Sequence, residues 1–153
     1  MAKKEKPVRI EKKVKPNREQ EMQEKYIEVQ ILKQQISAYV EQKQALDEKQ
    51  NEIGATIEAL KTLPTVKSGE EMWSNLGSGT FVRSDIKDTE KVLVAIGAGV
   101  VSKEPLARAI DILESRLNEI NEAIEQIIMQ ANAMVERINQ LEPELEKFAS
   151  EQK

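Results

Sequence analysis

The sequence predicts an α+β chain, a long antiparallel two-helix coiled coil with two central β-hairpins. Two observations predict it. Each half of the chain carries an apolar seam of heptad spacing, and between them a Gly-x-Gly unit occurs twice, twenty residues apart. The expected segments are a basic disordered tail over 1–18, a helix over 19–63, the hairpins over 64–102 and a second helix over 103–150.

Composition agrees with helices that need a seam more than a thick core. Of 153 residues, 33% are charged and 3% aromatic, and there is no His and no Cys. The sequence therefore offers no thiolate nucleophile, His base, disulfide or Cys/His zinc site. No enzyme is expected, and no cofactor or metal. The longest nearly apolar run, Val92 to Val101, is half of the roughly 20 residues needed to span a bilayer, so a cytoplasmic protein with no membrane partner is expected.

Charge is uneven. Residues 1–18 hold eight Lys and Arg against two Glu, a net of +6, and the whole chain carries −4, which leaves −10 on residues 19–153. A basic tail on an acidic body can attract nucleic acid or an acidic partner. No aromatic residue interleaves the basic run, however, so base stacking has no platform and nucleic-acid binding is not expected. A solvated terminus containing Pro7 and Pro16 is the simplest reading.

After Pro16, Asn17 is the expected N-cap, with Glu19 and Glu21 in a first turn where the helix dipole favours negative charge. The first seam is Met22, Lys25, Val29, Leu32, Ile36, Tyr39, Lys43, Leu46, Gln50, Ile53, Ile57 and Leu60. Nine of these twelve positions are apolar. Gly54 marks a candidate bend, and Pro64 stops the helix near Leu63.

Residues 72–102 change character. Leu76-Gly77-Ser78-Gly79-Thr80-Phe81-Val82 resembles Ile96-Gly97-Ala98-Gly99-Val100-Val101. Each reads as strand, tight turn, strand: Met72–Leu76 with Thr80–Ile86, then Lys91–Ile96 with Gly99–Ser102. Gly77, Gly79, Gly97 and Gly99 supply the positive φ values that such turns need. A nucleotide loop is not expected. The dinucleotide fingerprint needs a third glycine and a following helix, and a strand follows each turn here. Four short strands leave open edges, which predicts oligomerisation through them. Ser102 is the expected cap of the next helix, with Glu104 and Pro105 in its first turn.

The second seam is Leu106, Ile110, Leu113, Leu117, Ile120, Ile124, Ile127, Ala131, Met134, Ile138, Leu141, Leu145 and Phe148. All thirteen are apolar. Folding back antiparallel would place Leu60 near Leu106, Gln50 near Leu117 and Lys43 near Ile124, with polar seam residues fixing the register.

The order helix, two hairpins, helix resembles the alpha class of the prefoldin family. The most specific stretch runs from Leu76-Gly77-Ser78-Gly79 through Asp85-Ile86-Lys87-Asp88-Thr89-Glu90-Lys91 to Ile96-Gly97-Ala98-Gly99-Val100, and the resemblance covers roughly residues 19–150. It implies a co-chaperone of archaeal type. It further implies a hexamer of two alpha and four beta subunits whose hairpins form a β-barrel body. The coiled-coil tips would hold non-native proteins and pass them to a group II chaperonin without ATP. A filament-forming relative is the alternative within the family.

The residues add one point of their own. Tyr26, Ile27 and Ile31 on the first helix and Val135 on the second are apolar and off the seam, near the expected tip. Seam residues Met22, Leu141, Leu145 and Phe148 lie close to the chain ends, where Pro143 is expected to splay the last turns. These are the candidate client contacts.

Overall fold

The computed structural model describes residues 14–153. The basic tail expected over 1–18 therefore lies outside the described residues as far as residue 13. The elements are α1 (Val14–Thr62), a 3₁₀ turn (Leu63–Thr65), β1 (Glu71–Gly77), β2 (Thr80–Asp85), β3 (Lys91–Gly97), β4 (Val100–Pro105) and α2 (Leu106–Glu151).

All twelve seam positions of α1 and all thirteen of α2 are buried or half-buried. The residues form two units, a terminal one of residues up to 43 with 126–153 and a central one of residues 44–125. In the terminal unit Val29, Ile138 and Leu141 form the core, with Leu32, Ile36 and Leu145 against them. In the central unit Ile53, Ile57 and Leu113 do so, with Leu60, Ile110, Leu117 and Ile120 around them. Within each unit, numbers rising along α1 meet numbers falling along α2, so the helices are antiparallel.

The register differs from the expected one by about one helical turn. Leu60 shares its cluster with Ile110, and Gln50 Nε2 donates to Asn121 Oδ1 at 2.6 Å instead of lying against Leu117. The amide pair supplies the reason. A half-buried Gln facing Leu117 would lose its hydrogen bonds, whereas one more turn brings a side-chain carbonyl within reach. α1 also begins earlier than expected, at Val14, so Asn17 lies inside the helix. Pro16 is tolerated because first-turn N–H groups have no intrahelical acceptor.

The two hairpins are copies in backbone geometry. In the first, Ser78 and Gly79 form the two-residue loop with φ of 51° and 72°. In the second, Ala98 and Gly99 do so with 51° and 75°. Positive φ at both loop positions is the type I′ turn that matches strand twist. Gly77 pairs with Thr80 and Gly97 with Val100, and the register shifts past Leu76 and past Ile96. Each hairpin thus carries a bulge at the same place.

Asp88 closes the polar connection between the hairpins. Its Oδ1 accepts the N–H groups of Glu90 at 2.9 Å and Lys91 at 3.1 Å, and these bonds hold its carboxyl below the usual aspartate range. β4 then runs longer than expected. Ser102 Oγ donates to Glu104 Oε1 instead of capping a helix. Glu104 and Pro105 pair with Val92 and Lys91, and α2 starts only at Leu106, whose N–H donates to the Glu90 carbonyl at 3.1 Å. Proline at the last ladder position removes a donor that the end of a strand can spare.

Candidate functional site

Two surfaces leave apolar side chains uncovered, and they are built differently. On the hairpins nine large apolar side chains are exposed: Met72, Trp73, Leu76, Phe81, Val82, Leu93, Ile96, Val100 and Val101. Among the described residues each sheet has two strands. Every hairpin therefore offers an unpaired backbone edge together with apolar side chains, which is the combination that strand addition uses. The second hairpin is tied to α2 of the same unit, where the Arg116 guanidinium donates to the Ala95 carbonyl.

The second surface lies in the terminal unit, where α1 begins and α2 finishes. Met22, Tyr26, Leu145 and Phe148 line one groove of about 250 Å³ with Glu19 and Gln23. Tyr26 and Leu145 also line an adjoining groove of about 390 Å³ with Val29, Lys33, Glu142 and Ala149. Four of the residues expected from the sequence are thus brought together. Ile27 and Ile31 are separate. They stand one turn apart on the outer face of α1, 55% and 48% exposed. Val135 is exposed as well.

Leu141 requires a correction. Expected as an incompletely covered contact, it is 1% exposed and belongs to the core. The expected splay at Pro143 is also absent, since α2 continues through it to Glu151. Proline there removes one intrahelical hydrogen bond, and side-chain bonds on both sides hold the helices together. Lys25 Nζ meets Glu144 Oε2 at 2.6 Å and Arg18 meets Glu151 at 2.6 Å. Arg137 makes two bonds to Glu28, at 2.7 and 3.2 Å, and Lys33 meets Glu142 at 2.8 Å. Lys25, a seam residue, raises its charged end out of the seam to reach Glu144.

These bonds move the titration of their members. The Arg137 hydrogen bond holds Glu28 below the ordinary glutamate range. The Lys25 bond does the same to Glu144, and Glu144 in return raises Lys25. Arg18 also lies over the Phe148 ring at 5.5 Å, which keeps that ring at the groove.

Sequence reasoning missed Val40, Ile128 and Met129, which are 59%, 41% and 70% exposed in the same unit. A signal was present. Val40 and Ile128 each follow a seam residue directly (Tyr39 and Ile127), as Tyr26 follows Lys25 and Val135 follows Met134.

A family model described as prefoldin subunit matches residues 32–151. The chain belongs to the prefoldin family. It is 31% identical over 127 residues to prefoldin subunit alpha of Archaeoglobus fulgidus, covering 83% of this chain and 93% of that one. It is 28% identical over 131 residues to prefoldin subunit alpha of Methanococcus vannielii, covering 86% and 88%. A cryo-EM structure of filamentous PFD from Methanocaldococcus jannaschii has the same fold. Its TM-score is 0.51 at 20% identity, with 81% of this chain and 97% of that one covered. Two hairpins fit the alpha class, and the role is that of a prefoldin-family chaperone. No helix among the described residues is long and apolar enough to cross a membrane.

Proposed function

We propose that the chain is the alpha subunit of a cytoplasmic co-chaperone that holds non-native proteins without nucleotide. In this reading the hairpins pair with those of prefoldin beta subunits, two alpha to four beta, and close into a β-barrel body. The ends of the helices hold clients and release them to a group II chaperonin. The observation that carries the reading is the groove of Met22, Tyr26, Leu145 and Phe148 beside exposed Ile27 and Ile31. Each such side chain covered by a client contributes up to about 1.5–3 kcal/mol. Contacts from several subunits would add by multivalency. Met22 is adaptable enough for varied partners.

Mixing the chain with a beta subunit should give a six-subunit mass in native mass spectrometry and suppress aggregation of a denatured protein without ATP. A mixture that assembles but leaves aggregation unchanged would sink the holding role. A second reading, a filament-forming subunit, is favoured by the duplicated hairpin. Two equivalent sets of edges on one chain suit head-to-tail addition. It predicts long assemblies of the purified chain alone in electron microscopy.

A further inference from the structure

The terminal unit has two flanks of opposite chemistry. With Met22 at heptad position a and Leu106 at d, the residues beside the seam fall at e on one flank and g on the other. The g flank is polar. It holds the Glu28–Arg137 pair, Glu144 with its bond from Lys25, Gln35, Gln42 and Gln130. The e flank carries Glu19, Tyr26, Lys33 and Val40 from α1 and Ile128, Val135, Glu142 and Ala149 from α2. Lys33 meets Glu142 across it. The same register places Tyr26 opposite Ala149, where both line one groove, and Val40 opposite Val135. Apart from Glu19 at its end and the Lys33–Glu142 pair this flank is therefore apolar, and its groove reaches down to the core residue Val29.

We propose that the e flank of the terminal unit docks a basic amphipathic helix of a non-native protein along its side. The inference rests on the holding role proposed above and deepens it by naming the conformation and charge of what is held.

Three features point to that occupant. Apolar residues at a, d and e together form the wider face of helical bundles, whereas a and d alone complete a pair. The e flank thus continues the seam towards a third helix. Tyr26, Lys33 and Val40 recur every seven residues, about 10.5 Å along the axis. A helix matches that repeat with its own heptads, whereas a strand, repeating about every 6.8 Å, falls out of step. Charge selects the sign. Lys33 is engaged by Glu142, while Glu19 and Glu146 at the two grooves have no cation partner among the described residues. A second copy of this acidic coiled coil would bring like charges together across the flank.

The test uses the full chain and a fluorescent 18-residue Leu/Lys peptide of heptad pattern, with a proline-broken version as control. Binding is read by anisotropy and helix formation by circular dichroism. The helical peptide should bind and the broken one should not. Val40→Ser with Val135→Ser should weaken binding about tenfold, while Gln35→Ser with Gln130→Ser leaves it unchanged. Lys33→Leu with Glu142→Leu should tighten it about tenfold by making the flank continuous.

Equal binding of both peptides, or no response to the e-flank changes, would overturn the proposal. Tighter binding after removal of residues 1–13 would assign the flank to the chain's own tail and overturn it too. So would light scattering that shows a dimer abolished by Val40→Ser with Val135→Ser. Aggregation suppression by the same chain with its beta partner separates the two readings. Suppression without peptide binding removes only this inference, and loss of both removes the holding role as well.

Discussion

The hairpins and the helix ends both leave apolar side chains uncovered, yet they offer a partner different bonds. A hairpin edge adds unpaired N–H and C=O groups, which fix direction, register and spacing. The helices of the terminal unit bond their backbone groups internally except in the first and last turns, so this surface offers mainly side chains, which are adaptable and weakly directional. The first chemistry suits a permanent partner of fixed geometry, and the second suits many partners held briefly. The proposed function divides along this line, with specific assembly at one surface and loose holding at the other, because the two belong to different secondary structures.

Breaking the first surface should have the largest effect. Phe81→Asp with Leu93→Asp places charge on hairpin side chains that are 55% and 72% exposed in the single chain. The chain itself should keep its helix content, while assembly with a beta subunit is lost in light scattering. If assembly survives, the hairpins are not the joining surface.

A smaller effect separates core from contact at the helix ends. Leu141→Ala should cost about 2–5 kcal/mol in urea unfolding, as a buried large-to-small change does. Ile31→Ala, at an exposed position, should stay within about 0.5 kcal/mol. Equal losses would return Leu141 to the contact surface.

The smallest effect is acid loosening of the terminal unit. Glu28 and Glu144 titrate below their ordinary value in the folded chain. Their contribution is therefore complete above the unfolded value of about 4.3 and is lost as pH falls through the lower folded values. Lys25 has the opposite sign. It is raised, so its contribution is complete below the ordinary lysine value and disappears only as pH rises through the raised one. The protection factors of amides in residues 25–36, taken relative to the intrinsic exchange rate at each pH, should fall between pH 5 and pH 3 and hold steady from pH 7 to pH 5. Salt should blunt the change, because these groups are exposed.

The seams and the hairpins were legible in the sequence because each is a repeat, one of seven residues and one of twenty. The residues at element junctions were not. Ser102, Glu104 and Pro105 read equally as a helix start and a strand end, and only the partner strand at Lys91 and Val92 decides between them. The register was set by a side-chain bond from Gln50 to Asn121 that lies off the seam pattern. Pro143 suggested a loose end because its local effect was weighed without the ion pairs that flank it. Val40 and Ile128 share the heptad position of Tyr26 and Val135, so the same off-seam signal was present at them and was read at only two of the four.

The most direct measurement takes Tyr26→Ser, Ile27→Ser and Phe148→Ser in one chain and reads two quantities from the same sample, the native mass of the assembly with its beta partner and the suppression of aggregation. An unchanged six-subunit mass with suppression largely lost is the expected result, since the three side chains lie away from the hairpins in sequence and outside the buried core. A reduced mass, or full suppression retained, would contradict the division between a surface that assembles and a surface that holds.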